Sequence, residues 1–341
     1  MKNTLLTCFI LAAVTAGPAL ANANESEATT ITHAPLSLAG DGPSLGGYIL
    51  VHYGDDDDGS EMKYRAVRVE MKGSQGVMQY AFSADFKGLL ESQGTFTDTD
   101  GEDQDVDGTV SLKDAFATWS VSDGTTATFG RFKEPILHSG IHSSSRRLMV
   151  ERTGNGGDFD DRNAGLMLNG GFGDVQWWVA MQEGGDGEGT MEKKQTTVRA
   201  VYNVMGSAFG KYQGAYGYEG SNLSIGVASV EDDFSGLSAT AMEVGYVSDG
   251  WCIYADMIDE DGGDSPTSLT LSRVVHTNYE LAFRVEEDDD ASDTSHLIAG
   301  LNWYQGGDGH NLKWQLNFTE SESDNPANEG SRLDFGLVWR F

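Results

Sequence analysis

Proline, cysteine, basic side chains and long apolar runs are all scarce in this chain, and each scarcity excludes something. Six prolines against 44 glycines suit many tight turns between strands whose ladders cannot tolerate proline. Of the two cysteines, Cys8 lies in the first apolar stretch, so removal of that stretch leaves Cys252 alone and no intrachain disulfide. Stability must then come from burial and backbone pairing. The 22 Lys+Arg face 53 Asp+Glu, a net charge of −31. So acidic a chain does not suit phosphate backbones, and nucleic acid is not expected as a partner. Beyond the N-terminus no apolar run approaches the roughly 18 residues of a membrane helix, so any membrane-spanning form must be a closed β-barrel.

What is present begins with a secretory signal over residues 1–23. Lys2 supplies a positive start, Leu5 to Ala16 an apolar core, and Ala19-Leu20-Ala21 or Ala21-Asn22-Ala23 a small-residue cleavage site. Residues 24–45 form a loosely attached lead-in, and the region 46–341 is regular. Segments such as Met78-Tyr80-Phe82-Ala84-Phe86, Val175-Trp177-Val179-Met181 and Leu312-Trp314-Leu316-Phe318 place apolar residues at every second position. Small or polar residues lie between them, which is the period of a two-faced strand. No useful helical repeat competes, so the chain is all-β.

Sixteen such segments are expected: 46–53, 62–72, 76–88, 110–121, 125–132, 163–171, 175–183, 196–205, 222–230, 238–248, 251–258, 267–275, 279–286, 295–305, 310–319 and 330–341. Short connections alternate with longer, mostly acidic ones, among them Asp55 to Asp58, Glu102 to Asp107 and Glu286 to Asp290. Only the stretch Gly206 to Ser221 breaks the alternation. Even strand number, short turns at one end and long loops at the other describe a sixteen-stranded antiparallel transmembrane barrel. Tyr53, Trp119, Trp251, Trp303, Trp314 and Trp339 near strand ends suit interfacial girdles. A soluble secreted β-protein binding calcium or carbohydrate through its acidic loops is the alternative. A barrel enzyme would need a Ser/His pair at one interface, and no catalytic constellation is visible.

One connection is out of character. After a strand ending at Phe132, Pro135 stops the ladder, and residues 131–152 hold five basic side chains (Arg131, Lys133, Arg146, Arg147, Arg152) against Glu134 and Glu151. A positive loop in a negative barrel fits a constriction folded into the lumen, with Arg131, Lys133, Arg146, Arg147, Glu151 and Arg152 as its charged lining. The plainer role for Glu134 and Glu151 is structural ion pairing. Inward strand positions include Asp85, Glu243 and Glu286 beside Arg199, Arg284 and Lys313.

Two further patterns carry metal chemistry. Asp103, Asp105, Asp107 and Asp114 follow a calcium-loop spacing, although Asp114 stands where a bidentate Glu is usual and no helix flanks the loop. Glu134, His138 and His142 have a helical zinc-ligand spacing within poor helix formers. Gly42-Pro43-Ser44-Leu45-Gly46 spells an esterase elbow but lacks the following helix. No cofactor is required by any of this.

The terminal Leu333-x-Phe335-x-Leu337-x-Trp339-x-Phe341 resembles the sorting signal of bacterial outer-membrane proteins. Gly130-Arg131-Phe132-Lys133-Glu134-Pro135, with Glu151-Arg152, resembles the phosphate-selective porin O and P family. The resemblance implies a homotrimeric, water-filled porin in the outer-membrane lipid of a Gram-negative cell. It would pass small hydrophilic solutes and ions by passive diffusion, with anions such as phosphate among them. Porins of this kind fold the loop after the fifth strand into the lumen, which is where the basic loop falls.

Overall fold

The computed structural model describes residues 43–341 apart from 57–58, 92–94, 98–102, 106–108, 185–192, 207–212, 290–291 and 306–309. The expected signal peptide, and the lead-in up to residue 42, lie outside the described residues. Sixteen strands close into one antiparallel barrel. They are β1 (Ser44–Asp56), β2 (Gly59–Gln75), β3 (Met78–Asp85), β4 (Ser111–Ser122), β5 (Thr125–Lys133), β6 (Arg162–Phe172), β7 (Val175–Glu183) and β8 (Lys194–Met205). The second half is β9 (Ser221–Asp232), β10 (Ser238–Ser248), β11 (Trp251–Glu260), β12 (Thr267–His276), β13 (Tyr279–Glu287), β14 (Ser295–Gln305), β15 (Leu312–Glu322) and β16 (Gly330–Arg340). Every expected strand is present; β2 is longer than expected and β3 shorter.

Each strand pairs with its sequence neighbours, and β1 pairs with β16 to seal the barrel, Tyr48 opposite Arg340 and Asp56 opposite Arg332. The last residue takes part, since Gly47 N–H donates to Phe341 O at 3.0 Å and Phe341 N–H to Gly47 O at 3.1 Å. Closure removes the unpaired edge that an open sheet would expose. At the short-turn end, Asp249 and Gly250 join β10 to β11 with φ of 50° and 76°. Two positive φ values are what a two-residue hairpin turn of matching twist demands, and Asp-Gly supplies them cheaply.

The alternation is inside-out for a soluble protein. On β8, Val198 and Tyr202 are 50 % and 51 % exposed, whereas Gln195, Arg199 and Asn203 on the opposite face are buried. The same division runs through β13 to β15, where Leu281, Phe283, Leu297, Leu316 and Phe318 face out while Glu280, Arg284, Asn302, Lys313 and Gln315 face in. An apolar belt around a polar interior is the arrangement lipid requires. Tyr279, Trp303, Trp314 and Phe335 form a chain of ring contacts at the short-turn end, with centroids 5.5–6.5 Å apart. Such a row makes an interfacial girdle.

Three short helices lie in the long connections: α1 (Lys87–Glu91) after β3, and α2 (His138–Ile141) and α3 (Gly154–Asp158) between β5 and β6. The β5–β6 connection, 134–161, sits inside the barrel. Ile136, Leu137 and Phe159 pack on Ala228, Val230, Ala239, Ala241 and Ile258 of the inner wall. Leu148 and Met149 pack on Ala282 and Ile298. Each fully buried side chain of this kind contributes roughly 1.5–3 kcal/mol. The wall makes room for it. A Cβ at Gly300 would come within 2.8 Å of the Met149 sulfur, and one at Gly336 within 3.0 Å of Val150.

Candidate pore constriction

Proline at 135 ends β5, and the chain turns inward because its next residues, Ile136 and Leu137, have an apolar wall to cover. The loop then fastens itself. Lys133 Nζ donates to the carbonyls of Gly140 and His142, and the Arg152 guanidinium to those of Ser139, Gly140 and His142. Asp160 receives both cations, Lys133 at 3.5 Å and Arg152 at 3.1 Å. Burial, with Arg147 next, brings the Arg152 guanidinium down to about 9. Burial raises Asp160, but Lys133 and Arg152 outweigh it and hold the carboxyl below its usual range.

The wall holds the loop from the other side. Glu243 accepts from His138 N–H at 2.7 Å, from the Tyr254 hydroxyl at 2.8 Å and from Arg199, which also lies 4.8 Å over the Trp178 ring. Arg284 donates to Glu151 O at 3.2 Å and Asn317 accepts from Val150 N–H at 2.7 Å. Lys313 Nζ donates to Arg147 O, and Gln315 Nε2 to Leu148 O at 2.9 Å. Asp85 caps the start of α1 through Lys87 N–H at 3.1 Å and pairs with Arg68 at 3.3 Å. So Asp85, Arg199, Glu243, Arg284 and Lys313 all face inward, as the alternation requires. They are nonetheless buried, and the last four anchor the loop. This corrects their expected role as wet lining: the loop covers the wall where the last four stand, and Asp85 is taken by Arg68 and the start of α1.

Open space remains on the opposite side, between the loop, β2 and α1. A cavity of about 360 Å³ is lined by Lys63, Tyr64 and Arg65 of β2, Lys87 of α1, and Ser144, Arg147 and Asp160 of the loop. Four cations face one carboxylate there. Arg65 crosses to Glu151 in an ion pair whose partners remain about a third exposed, and Lys63 pairs with Glu61 at 2.8 Å.

The expected constriction set therefore divides. Arg147 reaches the cavity, and Glu151 bounds it by pairing with Arg65. Arg146 is half-buried in the turn Ser144–Arg146, where its carbonyl is held by Gln213. Lys133 and Arg152 are internal fasteners, buried because their donors are spent on loop carbonyls. Arg131 is on the outer face. It sits between inward Gly130 and Phe132, opposite Ala115 on one side and Ala164 on the other. Three residues unmarked by the sequence reading, Lys63, Arg65 and Lys87, supply most of the cavity's charge. The ladder skips Arg65, a bulge in β2 that breaks the period of two, so strict alternation gave no signal for the pair. Their meeting with the loop is a product of barrel closure.

The calcium pattern falls largely outside the described residues, and the Glu134, His138 and His142 spacing does not gather three ligands. Asp103 and Asp105 lie in a small ribbon with Thr95–Thr97, while their side chains and Asp107 lie outside the described residues. Asp114 is inside the barrel, its carboxylate taken by Arg162 at 2.7 Å and by Ser83. His138 and His142 do meet, ring to ring at 3.9 Å, and burial pushes both imidazoles well below their ordinary range. Glu134 instead accepts from Gln195 at 2.9 Å, and burial pushes its carboxyl up to about 7. Among the described residues no group of three potential ligands is gathered.

A closed sixteen-stranded barrel, apolar outside and narrowed inside by its own loop, is a porin-class channel. The model of the family described as phosphate-selective porin O and P matches residues 48–235. The chain belongs to that family, whose members are channels through which small hydrophilic solutes diffuse passively. Several engineered variants of the porin of Rhodopseudomonas blastica share the fold. Two of them are 12 % identical with TM-scores of 0.58 and 0.57, a third is 11 % identical at 0.57, and each alignment covers 88 % of this chain and all of theirs. No curated protein matches.

Proposed function

We propose that this porin sits in a bacterial outer membrane as a homotrimer and passes small anions, phosphate among them, in preference to cations. The observation that carries the anion preference is the cavity where Lys63, Arg65, Lys87 and Arg147 face Asp160. Rings of fixed charge set selectivity at a narrow point. The long-loop end is of opposite sign. Glu287, Asp293, Glu320, Glu322, Asp324 and Glu329 surround an 820 Å³ cavity at the long-loop end. This acidic rim opposes anion entry at low salt and fades once the screening length falls under about 10 Å. Phosphate flux into vesicles carrying the protein, compared with sodium flux at 0.3 M salt, tests the preference; faster sodium entry overturns it.

Arg131 supports the oligomer. On the outer face, opposite Ala115 and Ala164 and two positions from the exposed Phe129, a lone guanidinium towards lipid costs up to about 2–4 kcal/mol, depending on depth. Small neighbours leave space for a second copy to cover it. Cross-linking in native membranes tests this: trimers in the wild type, and a shift towards monomer in Arg131→Leu if the guanidinium has a partner across the interface. Cell fractionation tests the membrane.

A further inference from the structure

The connection between β8 and β9 starts at the short-turn end, where its neighbours are two-residue turns, yet it runs from 206 to 220. Its described part turns back into the lumen and meets the constriction loop from the side opposite its entry. Tyr216 stacks on Tyr304 of the wall with centroids 3.8 Å apart and planes 5° from parallel. His310 Nε2 lies 3.1 Å from Tyr216 O. Ala215 N–H donates to Glu280 at 2.6 Å, and the same carboxylate takes the Ser272 and Tyr304 hydroxyls at 2.6 Å each. The fit admits only small residues at the point of closest approach. A Cβ on Gly214 would stand 2.7 Å from Glu280 and 2.8 Å from Leu148.

Beyond this anchor, Gln213 reaches the constriction. Gln213 N–H donates to Arg146 O at 3.1 Å, and Gln213 Oε1 accepts from Leu148 N–H at 3.2 Å. These two bonds bracket Arg147, the carbonyl before it and the N–H after it, as a strand partner would. From the other side Lys313 and Gln315 hold the carbonyls of Arg147 and Leu148. Arg147 is the only cation that the constriction loop itself contributes to the described cavity lining. Its backbone is thus gripped between the wall and a second inward segment, and the grip fixes where its charge stands.

We infer that Gln213 is a positioning residue for Arg147, so that the segment 213–216 sets the charge selectivity of a cavity it does not line. The inference rests on the anion-selective reading of that cavity. Without the Gln213 acceptor, Leu148 N–H is left buried and unpaired, and such a group forces its surroundings to rearrange. The loop around Arg147 then samples several placements instead of one.

The test is a double-mutant cycle in planar bilayers on the full-length protein, reading the anion-to-cation permeability ratio and open-channel noise. Gln213→Met keeps the side-chain size and the backbone bond but removes the acceptor. It should lower the ratio at least threefold and raise the noise. Arg147→Gln alone should lower the ratio about fivefold, and adding Gln213→Met to it should change the ratio by less than 1.5-fold. Gln213→Glu restores an acceptor and should return the noise to the wild-type level. Tyr216→Leu, which removes the stack but leaves Gln213, makes the same comparison if Gln213→Met fails to fold. An unchanged ratio in Gln213→Met, or an equal drop in both backgrounds, overturns the positioning role. An unchanged ratio in Arg147→Gln overturns the cavity reading beneath it.

Discussion

Lys87 offers the cleanest measure of what one charge does in the constriction. It is exposed on α1 and lines the 360 Å³ cavity, and its N–H, not its ammonium, makes the bond to Asp85. Lys87→Gln therefore removes a charge with little packing. A sphere of that volume has a radius of about 4.4 Å, and at that distance a unit charge is worth roughly 1 kcal/mol at the dielectric of water. Anion permeability should then fall about fivefold, since 1.4 kcal/mol is tenfold, and the ratio to the cation should fall further. Lys87→Glu should double the change in energy and give about twenty-five-fold on the same Coulomb scale. The assay is reversal potential under a potassium chloride gradient, repeated at 0.1 M and 1 M mean salt. Screening falls from about 10 Å to 3 Å between them, so the effect should shrink sharply at 1 M. A ratio unchanged at 0.1 M, or a change of equal size at both salts, would refute electrostatic control by this cavity.

The pairs around the loop predict further outcomes. Glu151→Gln frees Arg65 of its partner, so anion preference should rise while heat-modifiable gel migration stays as in wild type. Asp160→Asn leaves Lys133 and Arg152 buried without their carboxylate; because Asp160 is about a third exposed, a loss of about 1–3 kcal/mol should appear as a lower unfolding temperature. Glu134, raised to about 7 by burial, is protonated more readily when folded than unfolded. Its contribution is therefore full below its ordinary range near 4.5 and is lost as pH rises to 7, by about 3 kcal/mol. Unfolding temperatures at pH 5 and 8 should differ in the wild type and converge in Glu134→Gln.

The strands were legible because lipid and lumen impose a period of two on every one of them, and Val198, Tyr202 and their neighbours obey it. The inward loop was legible for a different reason: Pro135 ends a ladder, and the local charge reverses the sign of the chain. Residue roles within it were not. Lys133 and Arg152 look like pore charges in sequence, yet their donors are consumed by loop carbonyls that come near only after the chain folds back. Arg131 stands in the same basic run, but parity along β5 turns it outward. Lys63, Arg65 and Lys87 lie about fifty or more residues from the loop, and only closure of the barrel brings them to it. The break at 206–221 was visible as an irregularity. Its destination depended on a stack of Tyr216 on Tyr304 that no local pattern announces.

The most direct test of the account is the reversal potential of the wild-type channel in a planar bilayer at 0.3 M mean potassium chloride, where the exposed acidic long-loop end is screened more than the enclosed constriction. The basic constriction predicts discrete conductance with chloride carrying more current than potassium. Discrete conductance with potassium favoured would contradict it.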